Sequence, residues 1–199
     1  MNLGQLRTTV DQRTGIGLDP VAVNHFVAEA AAAISIEHDW PWLERSGTFL
    51  TTAGVDTYAV PADWNRTLTL RLAGQPPMYR AASLADLEDD EPEATTGEPD
   101  SFAVYGTSLV LRPVPSGTVS VAHRYLRVEA ELVVDTDEPL MPAQFHHAIA
   151  EMAAALVCRR RGDGREANFM AAYGAWRTRM IADHHRQRPK ARVRTRGRW

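Results

Sequence analysis

At 199 residues, 44% hydrophobic and 24% charged, the chain has room for one domain, or for one domain with a second inserted into it, and enough apolar side chains for an ordinary core. Its net charge of −3 excludes a body drawn onto nucleic acid or membrane by bulk field. That sum hides an asymmetry: residues 186–199 hold seven basic residues and no acid, and setting those seven apart leaves 15 bases against 25 acids, a body of −10 carrying a segment of +7.

One cysteine, Cys158, excludes an intrachain disulfide. The opening MNLGQLRTTVDQR has no apolar run of the signal-peptide kind. The most apolar stretches, Ala30–Ile36 and Met152–Cys158, are too short to span a bilayer. The expectation is a soluble protein made in a cytoplasm, with no membrane partner.

In chain order, Leu3, Leu6 and Val10 recur at helical spacing, and Gly15 and Gly17 stop that helix. Asp19-Pro20 reads as an N-cap with proline at the first helical position. Val23, Phe26, Val27, Ala30 and Ile34 then form one stripe on a helix expected to run to about Asp39. Pro41, between Trp40 and Trp42, ends it.

From Ser46 the pattern changes to short β-rich runs: Thr48–Thr52, Thr57–Val60, Thr67–Leu72, Phe102–Tyr105, Leu109–Leu111 and Val119–Tyr125. Thr67–Leu72 alternates polar and apolar, the period of a half-buried antiparallel strand. Ala73–Pro77 and Pro113–Gly117 read as turns, Ser83 as the cap of one helical turn over Leu84–Leu87, and Glu88–Asp100 as an exposed acidic loop.

Helical spacing returns after Pro139. Phe145, Ala148, Ile149, Met152, Ala153, Leu156 and Val157 stripe a helix from Pro142 to about Arg161. Gly162-Asp163-Gly164 turns the chain, and Arg165–Gln187 carries Phe169, Tyr173, Trp176 and Met180 on one side. So short a turn makes the last two helices antiparallel neighbours. The fold class is therefore α+β: a four-helix base over 1–44 and 136–187, an inserted antiparallel β domain over 45–135, and a basic C-terminal arm over 188–199.

Candidate chemistry is sparse. His147 and Glu151 share a helix face at i, i+4, as two metal ligands require, but no third ligand stands at a legible spacing, so a solvated or interfacial face is expected. His184-His185 suits a helix C-terminus through the dipole alone. Cys158 lies among apolar residues and reads as a packed thiol. Gly15-Ile16-Gly17 lacks the third glycine of a dinucleotide loop, and no GxSxG elbow occurs. The strand aromatics Tyr58, Tyr79, Phe102, Tyr105 and Tyr125 are scattered and not interleaved with Arg, which points to core packing rather than base stacking. No enzyme, metal or cofactor is expected.

Several stretches in order resemble one family. The first helix pair exits through Trp40-Pro41-Trp42-Leu43. A run of the form T-x-x-G-x-x-x-Y-x-x-P-x-D-x-x-R follows as Thr51, Gly54, Tyr58, Pro61, Asp63 and Arg66 with their intervening residues. Gly97-Glu98-Pro99, Phe102–Gly106, Leu109–Pro115 and a strand ending at Tyr125 continue it, and Pro139–Pro142 with Phe145-His146 returns to helix. Over residues 3–185 this resembles the head–tail connector adaptor (neck) proteins of tailed bacteriophages. The resemblance implies a ring, commonly dodecameric, docked beneath the portal protein. Such a ring extends the channel for genomic DNA, meets a tail or second neck protein, and belongs to the virion neck. It implies no catalytic residues.

The basic segment lies outside the resemblance. Arg186, Arg188, Lys190, Arg192, Arg194, Arg196, Arg198 and Trp199 are the candidate partner-binding residues. Pro189 stops the preceding helix, like charges repel, and only Val193 and Trp199 offer apolar surface, so a flexible arm that orders on binding is expected. Its partner is expected to be the portal, with DNA in the channel as the rival. A nucleic-acid-binding protein acting through this segment is the alternative function, and the acidic body argues against it.

Overall fold

The computed structural model describes residues 1–90 and 95–187. The chain divides into two compact units, one of Met1–Trp42 with Glu129 onward and the other of Leu43–Val128. The class is α+β.

In the first unit, helix α1 spans Leu3–Thr14. Asn2 caps it: its side chain accepts from the Gln5 amide at 2.9 Å while the Gln5 side chain accepts from the Asn2 amide at 3.1 Å. Gly15, at φ 62°, ends it in the left-handed conformation that glycine adopts without cost. Helix α2 spans Pro20–Ile36; Asp19 holds the N-cap position but makes no side-chain capping bond. The helix stops short of the expected Asp39. The indole of buried Trp40 folds back and donates to the Ile34 carbonyl at 2.7 Å, satisfying one of the orphan acceptors of the helix end.

Helix α3 (Leu84–Asp90) belongs to the second unit, while α4 (His146–Arg161) and α5 (Glu166–Gln187) complete the first. Helix α4 packs against α1, α2 and α5. Its Ala148, Ala150, Ala153, Ala154 and Ala155 are all buried, so the small side chains serve close helix approach inside the chain. Ion pairs and hydrogen bonds tie the ends: Arg7 to Asp135 through two 2.7 Å bonds, Arg165 to the Thr14 carbonyl at 2.8 Å, and Tyr173 and Arg177 to Glu37 at 2.6 and 2.7 Å. The segment after Val128 returns to α1, where the Leu3 and Gly4 amides donate to the Asp137 and Asp135 carbonyls.

The second unit is built on two larger sheets and one two-stranded pair. Strands β1 (Glu44–Leu50), β9 (Ser120–Arg127) and β3 (Trp64–Leu72) form one in the order β1-β9-β3, all antiparallel. Strands β2 (Thr57–Ala59), β7 (Ser108–Arg112), β6 (Ser101–Tyr105) and β4 (Tyr79–Arg80) form the other in the order β2-β7-β6-β4. Leu70 and Leu72 from β3, Val121 from β9, Phe102 from β6 and Leu109 and Leu111 from β7 meet in one core with Met78. Alternation sends Ala103 and Val110 to the opposite face, where Ala81 and Leu87, the latter from α3, cover them.

Three expectations are corrected here. The β unit is not wholly antiparallel: β4 pairs parallel with β6, and β5 (Thr96–Gly97) pairs parallel with β8 (Val114–Pro115). Glu88–Asp100 is not simply a loop, since α3 reaches Asp90 and β5 lies within the stretch, while Pro113–Gly117 holds β8 rather than only a turn. Two-residue strands form through backbone bonds, such as the Val114 amide to the Thr95 carbonyl at 2.8 Å and the Ser116 amide to the Gly97 carbonyl at 3.0 Å, and leave no side-chain periodicity. Tyr79 and Tyr105 do not pack in the core; each is 65% exposed, whereas Phe102 and Tyr125 are buried.

Candidate functional site

Of the eight candidate partner-binding residues, Arg186 alone lies among the described residues. It stands exposed in the last turn of α5, with its guanidinium 3.7 Å from Asp183 one turn back. Arg188, Lys190, Arg192, Arg194, Arg196, Arg198 and Trp199 lie outside the described residues.

The end of α5 is held by an aromatic stack that sequence spacing does not announce. Trp40 and Trp42 lie nearly parallel, 4.6 Å between ring centroids and 12° apart. His38 meets Trp40 edge-on at 5.1 Å and approaches His184 at 5.5 Å, and Trp42 contacts Phe145 at 6.2 Å. His184 is buried in this group, and His185 beside it is exposed. The two adjacent histidines therefore differ: one is a packing residue, the other a solvated one. A small cleft of about 240 Å³ opens beside the stack, lined by Pro41, Trp42, Pro142, Asp183 and His184. The last turns of α5 are thus anchored by His184 against Trp40 and His38.

His147 and Glu151 do share a face of α4, and Arg13 of α1 occupies it. The Arg13 guanidinium pairs with Glu151 and lies 3.4 Å from His147 Nδ1, while the other side of His147 stacks on Trp176. A guanidinium between these side chains makes the pair a helix-to-helix tie. Among the described residues no group of three His, Cys, Asp or Glu side chains could hold a metal ion. Cys158 is fully buried; burial, reinforced by Asp163, pushes its thiol above the ordinary value, the opposite of what a nucleophile needs. His146, next to the expected pair, is buried with Nε2 2.7 Å from the Met141 carbonyl, and burial lowers its pKa.

The motif residues of the β unit prove to be turn chemistry. Thr51 Oγ1 donates to the Gly117 carbonyl at 2.8 Å and accepts from the Val119 amide at 2.9 Å. Tyr58 reaches back across the turn: its hydroxyl donates to the Val55 carbonyl at 2.6 Å and accepts from the Thr52 amide at 3.0 Å. Gly54, at φ 75°, makes the turn possible. Asp63 accepts from Arg45 at 2.6 Å and from the Tyr125 hydroxyl at 2.9 Å; burial alone would raise this carboxyl, but the two bonds outweigh it and hold it below the usual range. Asp56, paired with buried Arg112 at 2.5 Å, is held low by that bond first. These side chains set loop shape.

Large apolar side chains remain exposed on both units. In the first they are Val21 and Ile36, 72% and 78% exposed at the two ends of α2, and Val133 and Val134; in the second, Leu50, Val55, Tyr79, Tyr105 and Val128. No described helix is long and apolar enough to cross a membrane.

A family model described as SU10 adaptor protein matches residues 1–197, a span that corrects the expected limit of the resemblance at 185 and takes in the basic segment up to Gly197. No curated protein matches the chain.

Proposed function

The chain belongs to the SU10 adaptor protein family, a family of phage structural proteins, and on that premise we propose that it is a head–tail adaptor of the virion neck. The observation that carries this reading is the span of the match, nearly the whole chain, which takes in both compact units. In this reading α1, α2, α4 and α5 form a four-helix base that assembles with copies of itself into a ring. The ring docks on the portal protein and meets the next neck or tail component, and genomic DNA passes through its centre. Function then resides in shape and interface, with no catalytic residue and no cofactor.

The buried alanines of α4 are occupied by packing within the chain and are not free to form a ring contact. Support comes instead from the family and from apolar side chains left exposed at both ends of α2.

The basic residues from Arg186 to Arg198, with Trp199 as terminal anchor, are the proposed portal grip. The test is co-sedimentation of the full chain, and of a chain ending at Gln187, with assembled portal. The full chain is expected to co-sediment, and the shortened chain to lose at least about tenfold in affinity. Equal docking by both would remove the grip from this segment. Loss of DNA retention with docking intact, together with a steep salt dependence, would assign the segment to DNA instead.

A further inference from the structure

The three-stranded sheet β1-β9-β3 has two edges, and the chain treats them differently. The β3 edge is closed. Its ladder with β9 shifts register twice, between Trp64 and Arg66 and between Thr67 and Thr69. Carbonyls along it are taken: Leu70 accepts from the Met78 amide at 2.9 Å, Leu72 from the Gln75 amide at 3.1 Å, and Thr67 from the Arg80 guanidinium at 3.2 Å. Register shifts and a covering loop protect an edge from pairing with another chain.

The β1 edge has neither. Its 7 residues, Glu44–Leu50, pair with β9 in one unbroken register, and none is proline. Alternation fixes where each backbone group points. The ladder runs on to Thr51, whose amide donates to the Val119 carbonyl at 2.9 Å, so the odd-numbered residues bond toward β9. Glu44, Ser46, Thr48 and Leu50 therefore bond away from it, and among the described residues nothing meets their amides or carbonyls. Gly47 stands at the middle of this strand. Its φ is not in the left-handed region, no bulge occurs there, and a Cβ added to it would meet nothing within 4 Å. Nothing in its own chain calls for a glycine, a residue that weakens a strand interior and marks places where another backbone comes close.

We propose that β1 is a self-pairing edge: β1 of a second copy adds to it antiparallel about a twofold axis at Gly47, joining two of the three-stranded sheets into one. The strand's own pattern selects a second copy as partner. With the axis at Gly47, Ser46 lies opposite Thr48 of the second copy and Glu44 opposite its Leu50, so every outward-bonding residue meets another. An axis between two residues would set outward-bonding residues against inward-bonding ones, and an axis on any other residue shortens the pairing. Gly47 then faces its own copy as a non-hydrogen-bonded pair, where Cα atoms approach to about 4.5 Å, the closest spacing in an antiparallel ladder. The side chain is missing where space is tightest. Charges agree as well: Glu44 faces Leu50 and Arg45 faces Phe49, so no like charges oppose one another. Leu50, 65% exposed in the single chain, is laid beside the stem of Glu44 of the second copy. A twofold contact pairs chains and does not propagate a ring, so the proposal stands apart from the adaptor reading.

Sedimentation equilibrium of the full chain, without portal or DNA, tests the proposal. The parent is expected to show a concentration-dependent dimer. Two double variants read the register, since positions 46 and 48 are exposed and oppose each other across the axis. Ser46→Glu/Thr48→Glu sets carboxylates face to face, twice per dimer, and should weaken association at least about tenfold. Ser46→Glu/Thr48→Lys sets unlike charges there and should stay within about threefold of the parent. Thr48→Pro removes an amide that points away from β9, so it should abolish the dimer while the far-ultraviolet circular dichroism stays that of the parent. It stands in for the glutamate pair should that variant fail to fold. A parent that stays monomeric up to about 0.5 mM overturns the proposal. So does a glutamate pair or a Thr48→Pro chain that associates like the parent, or a Ser46→Glu/Thr48→Lys chain that associates no better than the glutamate pair. None of these failures would bear on portal docking.

Discussion

The helical unit and the β unit solve the packing problem by opposite means. In the helical unit, α4 buries five alanines beside Ile149 and Val157, so that helices approach closely along it. In the β unit, Leu70, Leu109, Leu111, Phe102 and Met78 fill the space between sheets, and the loops outside that core are held by side-chain bonds from Thr51, Tyr58 and Asp63. The first unit is thus limited by how near its helices come, the second by how well a volume is filled and how firmly its turns are pinned. The difference teaches where each is sensitive: the alanine contacts of α4 to added bulk, the core between the sheets to removed bulk.

The largest expected effect is in the β core. Leu111→Ala, at a fully buried position, should destabilise by about 2–5 kcal/mol in chemical denaturation. A cost under about 1 kcal/mol would show that the sheets collapse onto the gap. Next comes the converse change in the helical unit. Ala154→Leu should cost about 1–3 kcal/mol through overpacking. A neutral result would mean that α4 has room that its burial does not suggest.

Smaller again is the loss of one turn bond. Tyr58→Phe keeps the ring against Phe49, 5.1 Å away, and removes only the hydroxyl, for an expected cost of about 1 kcal/mol. Limited proteolysis should then cut the Thr51–Thr57 turn sooner than in the parent. An unchanged digestion rate would mean that Gly54 and Thr51 hold the turn without help.

The smallest effect treats the two units alike. Each contains a buried histidine whose pKa burial lowers, His146 in one and His123 in the other. The unfolded chain takes up these protons near the ordinary value of 6.5 while the folded chain resists, so stability present above that pH declines as pH falls below it. Carboxylates held low, such as Asp56 and Asp63, add their own loss only nearer their ordinary 3.8. The melting temperature should therefore fall between about pH 7 and 5, and the His146→Gln and His123→Gln variants should each flatten that slope whatever their offset at about pH 7. An unaltered slope in both would contradict the burial argument.

How much of this was legible depended on whether the signal was local. Gly15, Pro20 and Gly162 mark helix ends because backbone conformation is dictated at those residues. The polar–apolar alternation that marks Thr67–Leu72 has no counterpart in β4, β5 and β8, which are too short to show a period, so the parallel pairings stayed hidden. The pairing of Glu151 with Arg13, far away in sequence, turned an apparent ligand pair into a tie that spacing alone does not reveal. The burial of His184 depended in the same way on Trp40 folding back across a helix end. The basic segment was legible as charge alone.

The central claim is that this chain is an adaptor that joins a portal. Negative-stain imaging of the purified chain, alone and mixed with its assembled portal, tests it most directly. The account predicts a ring of added density coaxial with the portal in the mixture, whether or not the chain forms a ring alone. A chain that stays monomeric and leaves the portal bare would contradict it.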